Sequence, residues 1–163
     1  MDDVVLPFNV ALSDKENLLE LVLRQDFKNG ASTGNASIAI GNNYEKLFQK
    51  ITKKAYNGDN FLNSIGIANI GFIKADIEGH EDFFFRGITN LLETYQPYIL
   101  TEINLPFYRA RGVHDIIGVF NKIFHDWTFM KDGHRSRDLT YLVKTDVSNI
   151  FIEPPRISSH IHK

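Results

Sequence analysis

Two apolar runs in the middle of the chain end in acidic residues, and those acids are the first place to look for chemistry. The first run closes as Lys74-Ala75-Asp76-Ile77-Glu78-Gly79, the second as Thr101-Glu102-Ile103-Asn104. Strand alternation puts Lys74, Asp76 and Glu78 on one side if the strand stays regular that far. Gly79 then lets the backbone turn sharply. Ligands of an open α/β sheet sit outside the carboxyl ends of its strands, so Asp76, Glu78 and Glu102 are expected to converge on one crevice. There they could bind a cation or take a proton from a substrate. The competing reading is that Asp76 or Glu78 caps a helix and Glu102 is solvated.

Other polar residues offer less. His114-Asp115 and His125-Asp126 superficially suggest a metal phosphohydrolase, but that chemistry needs further His and Asp ligands at helical positions. His160-x-His162 falls in what reads as a frayed tail. Arg109, Arg111, Arg135 and Arg137 lie in polar loops, where they read as solvated charges rather than as contacts for an anionic substrate. The absence of Cys excludes thiolate zinc sites, disulfide scaffolds and Cys nucleophiles. A balance of 18 basic against 20 acidic side chains gives no electrostatic case for nucleic acid or an anionic membrane as partner. The start, Met1-Asp2-Asp3, is acidic, and the apolar stretch after it is interrupted by Pro7 and Asn9, unlike a signal peptide. No run approaches the roughly 18 to 20 apolar residues that span a bilayer. Together these features predict a cytoplasmic protein, and 13 Phe argue for a packed core rather than disorder.

The elements that must position the acids follow from pattern. Val4–Leu12 reads as a strand, placed at an edge by Pro7, and Leu18–Arg24 as another. Residues 29–37 form a polar loop containing the sequon Asn35-Ala36-Ser37, and Ala36–Ile40 a further short strand. Tyr44, Leu47, Phe48, Ile51 and Ala55 have helical spacing, although this segment could also run extended. Asp59–Ile65 reads as a short helix ended by Gly66. Asn69–Ile77 is a compact apolar run, the pattern of a strand buried on both faces. Phe84, Ile88, Leu91, Leu92 and Tyr95 mark one face of a helix that Pro97 stops, and Tyr98–Ile103 is a second buried strand. Strand, helix and strand make a βαβ unit. Val113–Phe124 predicts another helix. Trp127–Lys131 and Leu139–Thr145 predict an antiparallel hairpin across the polar loop DGHRSRD.

The stretch from Ile70 to Ile103 closely resembles the FkbM-type methyltransferases, a family that uses S-adenosylmethionine. Lys74, Asp76, Glu78, Gly79, Glu81, Arg86-Gly87, Pro97 and Glu102 follow that family's K-x-D-x-E-G, acid, helix, R/K-G, Pro and strand-ending E in order and spacing. Asn9–Leu21 resembles its segment after the third strand, and Gly58-Asp59-Asn60-Phe61-Leu62 its LDxxL element. The similarity covers about residues 9–152, implying a partial methyltransferase domain over 1–152 and a tail over 153–163.

The resemblance implies an α/β class I (Rossmann-like) fold with strand order 3-2-1-4-5-7-6 and strand 7 antiparallel. Val4–Leu12 would be strand 3, Phe72–Ile77 strand 4, Tyr98–Ile103 strand 5, and Trp127–Lys131 and Leu139–Thr145 strands 6 and 7. It implies methyl transfer to a hydroxyl of a small molecule or glycan, with Asp76 or Glu78 as base or orienting carboxylate and Glu102 assisting. Ala11, Leu12 and Asp76 are the implied cofactor contacts, and no metal site is expected. The chain departs from the family in having no G-x-G turn. Only the C-terminal part of the fold, strands 3 to 7, is therefore expected, with cofactor-binding strands 1 and 2 absent and cofactor binding incomplete in the isolated chain. Strand 4 then becomes an open edge, so the chain is expected to self-associate along Phe72–Ile77 or to hold residues 1–40 poorly. The alternative is a degenerate module of the same fold that binds or oligomerises without catalysis.

Overall fold

Where each strand finds a partner decides the architecture. The computed structural model describes residues 5–24, 36–38, 48–67 and 69–155. Strand β1 (Ala11–Ser13) is followed, after a bend, by β2 (Asn17–Arg24), β3 (Ala36–Ile38) and β4 (Phe48–Asn57). They form one sheet in the order β1-β4-β2-β3, with β4 parallel to β1 and antiparallel to β2. Pairing with β2 along most of its length, and with β1 at Ala55–Asn57, makes residues 48–57 extended despite their helical spacing. Of the expected strand Val4–Leu12, Val4 lies outside the described residues, residues 5–10 are not in a strand, and Ala11 and Leu12 continue into Ser13. Pro7 cannot donate to a ladder, and Val5 and Leu6 are 80% and 77% exposed. Residues 29–35, 44–47 and 156–163, with Asn35, Tyr44, Leu47, His160 and His162, lie outside the described residues.

The second sheet carries β5 (Phe72–Ala75), β6 (Tyr98–Asn104), β7 (Thr128–Lys131), β8 (His134–Ser136) and β9 (Val147–Glu153). Its order is β5-β6-β9-β7-β8. β5 and β6 are parallel, whereas β9 runs antiparallel to both β6 and β7. That is the expected 4-5-7-6 arrangement with an antiparallel strand 7, and the chain has the mixed α/β, Rossmann-like methyltransferase fold. Strand 7, however, is β9 and not Leu139–Thr145. Leu139–Tyr141 is a 3-10 turn capped by Asp138, and it drops Leu139, Leu142 and Val143 into the core. Val147–Glu153 instead buries alternate residues, as a strand with one covered face does. The polar loop also forms its own hairpin, because Asp132 and Gly133 both take positive φ (50° and 80°), as a tight two-residue turn requires.

Five helices complete the described residues: α1 (Gly58–Ser64), α2 (Glu81–Gly87), α3 (Thr89–Tyr95), α4 (Leu105–Ala110) and α5 (Ile116–Ile123). The single helix expected before Pro97 is two, broken at Ile88. Asp59 explains the restart. Its carboxylate accepts the N–H groups of Asn90 and Leu91, both at 3.0 Å, and so caps α3, which has no side-chain cap of its own. Gln96, left-handed at φ 47°, ends α3 just before Pro97. The expected loop after β6 is helical because Pro106 sits in the first turn of α4, where its missing N–H costs nothing.

The core lies on one face of the second sheet. Ile99, Ile103, Ile150 and Ile152 point into it and meet an aromatic cluster of Phe85, Phe120, Phe124, Trp127 and Phe129. Phe85 and Phe124 pack edge to face at 5.1 Å, the arrangement their quadrupoles favour. Phe72 is 54% exposed, so β5 is not buried on both faces as its apolar run suggests. It has a ladder partner, β6, on one side only. The two sheets meet through α2, where Gly87 lets the Ser13 carbonyl approach so closely that a Cβ there would overlap it.

Candidate active site

A cleft of about 460 Å³ opens between the β1–β2 strands and the carboxyl end of β5. Ala11, Leu12 and Leu19 wall one side, Ala75 and Asp76 the other, with His80 and Phe84 between them. The three implied cofactor contacts, Ala11, Leu12 and Asp76, are thus brought together from distant parts of the sequence. Glu78 and Glu102 do not line this cleft. Glu102 sits one position past the last paired rung of β5 and β6, Ala75 with Thr101, which sets it level with Asp76. Its carboxylate accepts a hydrogen bond from Asn104 Nδ2 at 3.4 Å.

The acid-bearing turn departs from the regular strand expected up to Glu78. β5 ends at Ala75, and Glu78 and Gly79 both take left-handed conformations, with φ of 53° and 88°. A non-glycine residue there is strained, and Gly79 is the residue the site needs. A Cβ on it would come within 2.6 Å of Phe107 Cβ.

Glu81 holds the turn in place. It is only 1% exposed. Its Oε1 accepts the Ile77 N–H at 2.9 Å, its Oε2 accepts the Gly79 N–H at 3.1 Å, and Tyr108 Oη donates to Oε2 at 2.5 Å. Burial pushes the Glu81 carboxyl above its usual range, against the pull of those donors. Burial, then the neighbouring Glu81 charge, pushes the Tyr108 phenol up as well, so it stays a donor. Through Tyr108 the turn after β5 is tied to the helix that follows β6.

A second layer of charge lies behind it. Asp82, also buried, pairs with Arg86 at 2.5 Å and Arg111 at 2.6 Å. Arg111 stacks over Phe83 and Tyr108. It is therefore a structural cation and not the solvated loop charge expected. Arg109 and Arg135 form exposed pairs with Asp146 and Glu153. Asp115 is occupied as the cap of α5, accepting the Gly118 N–H at 2.9 Å, and His125 pairs with its exposed neighbour Asp126. Among the described residues no group of three His, Asp or Glu side chains is gathered as metal ligands.

At the cleft itself Lys74 Nζ pairs with Asp76 Oδ2 at 3.0 Å. Both side chains are largely exposed, so the pair is worth no more than about 1 kcal/mol and Asp76 is free to exchange it for a ligand. His80 is buried, and desolvation, aided by Arg111, lowers its pKa to about 4. Sequence reasoning missed Ser13, His80 and Tyr108 as site residues. Glu81 carried a signal, an acid in a first helical turn, but that pattern points to the helix dipole and not back to the turn it clamps.

No curated protein and no solved structure matches the chain. Among the described residues no helix is long and apolar enough to cross a membrane. The family model of the methyltransferase FkbM domain matches residues 2–138, a span that takes in the cleft, the clamped turn and the ends of β5 and β6. The chain belongs to the FkbM methyltransferase domain family.

Proposed function

We propose that the chain transfers a methyl group from S-adenosylmethionine to a hydroxyl acceptor at the cleft between β1 and β5. The observation that carries this reading is the meeting of Ala11, Leu12 and Asp76 around one hollow. Its size falls in the range of small-molecule pockets, and its mostly apolar walls with a few polar groups suit a nucleoside. When bound, the cofactor supplies an electrophilic methyl carbon. The chain's part is to place an acceptor hydroxyl in line and to receive its proton. Asp76, released from Lys74, accepts that proton as the new C–O bond forms and the C–S bond breaks, leaving a neutral thioether. Glu102, level with Asp76 on the next strand but outside the lining of the cleft, assists by orienting an acceptor that extends past the end of β6, and Glu78 is the alternative carboxylate in the strained turn.

Transfer of labelled methyl from S-adenosylmethionine to panels of sugar, polyketide, lipid and peptide hydroxyls tests the reading. One panel should be labelled, and Asp76→Asn should slow labelling roughly a hundredfold or more. Labelling that is indifferent to Asp76→Asn, or none on any panel, would overturn it. The open edge of β5 favours a second reading, a module of this fold that associates through Phe72–Ile77 without catalysis. Concentration-dependent oligomers abolished by Phe72→Lys, with no methyl transfer, would select it.

A further inference from the structure

We propose that His80 is a fixed hydrogen-bond acceptor for the nucleoside end of the methyl donor, with its Nδ1 lone pair presented to the cleft and its ring oriented by Ser13 and Asp14. This rests on the cofactor reading above and adds a binding residue to it.

The argument begins with one proton. Ser13 Oγ donates to Asp14 Oδ1 at 3.3 Å, and a serine hydroxyl has a single hydrogen to give. With that hydrogen given to Asp14, the contact of 3.1 Å between Ser13 Oγ and His80 Nε2 is filled by a hydrogen on Nε2, the tautomer the proposal assigns. A neutral ring protonated at Nε2 carries a bare lone pair at Nδ1. Neutrality follows from place. His80 is 6% exposed, and burial first, then Arg111, opposes a positive charge on it, against the smaller pull of Asp82 and of Asp14. Phe83 lies against the ring at 4.9 Å and limits its rotation.

Nδ1 has no hydrogen-bond partner among the described residues and is not among the enclosed, unpaired atoms there. His80 is also one of the residues that line the cleft. A nine-tenths-buried side chain that lines a mostly apolar hollow and has one ring nitrogen without a partner fits a flat ligand with a donor on its edge. Ser13 directly follows Ala11 and Leu12, the two apolar cofactor contacts, so the acceptor is placed on the side where they would hold the nucleoside. An amine or hydroxyl there would satisfy Nδ1, while the carboxylate of Asp76 remains for the reacting end. A ring this reluctant to protonate makes a poor base at neutral pH, which leaves recognition as its use.

Long-range proton–nitrogen NMR of the imidazole decides the matter, with S-adenosylhomocysteine as the probe. The free protein at about pH 7 should show a neutral ring protonated at Nε2, and Ser13→Ala should admit the other tautomer. Adding the probe should shift Nδ1 together with the amides of Ala11, Leu12 and Asp76. His80→Gln should weaken the probe about tenfold, the worth of one neutral hydrogen bond. A ring protonated at Nδ1 or charged overturns the proposal. Amides that move while Nδ1 does not overturn it and leave the cofactor reading standing. If nothing moves, both fall. The wild-type imidazole signals suffice should either variant fail to fold.

Discussion

Acid should weaken this fold through His80 by an amount that can be worked out. Its pKa falls from 6.5 to about 4 on folding, first because burial strips water from the charged ring and then because Arg111 lies close. The unfolded chain therefore holds a proton that the folded chain refuses. Stability from this group is complete above the unfolded value and is lost as pH falls through the folded one. A gap of about 2.5 units at about 1.4 kcal/mol each comes to about 3 kcal/mol. Glu81 acts in the opposite sense, since its pKa is raised on folding and acid relieves the cost of its buried charge. Comparison with His80→Gln, in which Glu81 is retained, separates the two. Urea unfolding at steps from about pH 7.5 to 4 should show the wild type losing about 3 kcal/mol more than the variant. Parallel curves, differing by less than roughly 0.5 kcal/mol across the range, would refute the neutral buried ring.

Asp59→Ala should cost about 1 to 2 kcal/mol in denaturant unfolding, because two N–H groups at the start of α3 lose their only cap. Tyr108→Phe should cost about 1.5 to 3 kcal/mol, since it removes a donor from a buried carboxylate. The same variant should speed hydrogen exchange at Ile77 and Gly79 more than at the core residues Ile150 and Ile152. Gly87→Ala should destabilise by about 1 to 3 kcal/mol, because a methyl there has to push the Ser13 carbonyl away. Its methyl signals should show β1 displaced while the β6–β9 ladder is intact.

The parts of the fold that were legible from sequence are those where local pattern and tertiary role agree. YILTEI reads as a strand and is one, FIKADI is a strand only through Ala75, and their parallel pairing follows from the helical segment between them. The last strand was misplaced because Leu139, Leu142 and Val143 are as apolar as a strand, yet they reach the core from a 3-10 turn. The Asp132-Gly133 pair was the available signal for the short hairpin. The break at Ile88 could not be read locally, since it depends on Asp59, which lies some thirty residues earlier in the chain.

The site divides in the same way. The acids at the strand ends were visible because each sits at a boundary between an apolar run and a turn. Their arrangement was not, because it depends on a left-handed Glu78 held by Glu81 from the next helix. Tyr108 was hidden in a segment that looked like a loop. Ser13 and His80 are ordinary residues until β1 and the turn after β5 are side by side.

Whether the hollow between β1 and β5 receives the methyl donor is measured most directly by mapping backbone amide shifts while S-adenosylmethionine is titrated onto the chain. Saturable shifts should centre on Ala11, Leu12, Asp76 and His80 and vanish in Leu12→Asp. A spectrum that does not change with added S-adenosylmethionine, or one whose changes centre elsewhere on the surface, would contradict the assignment.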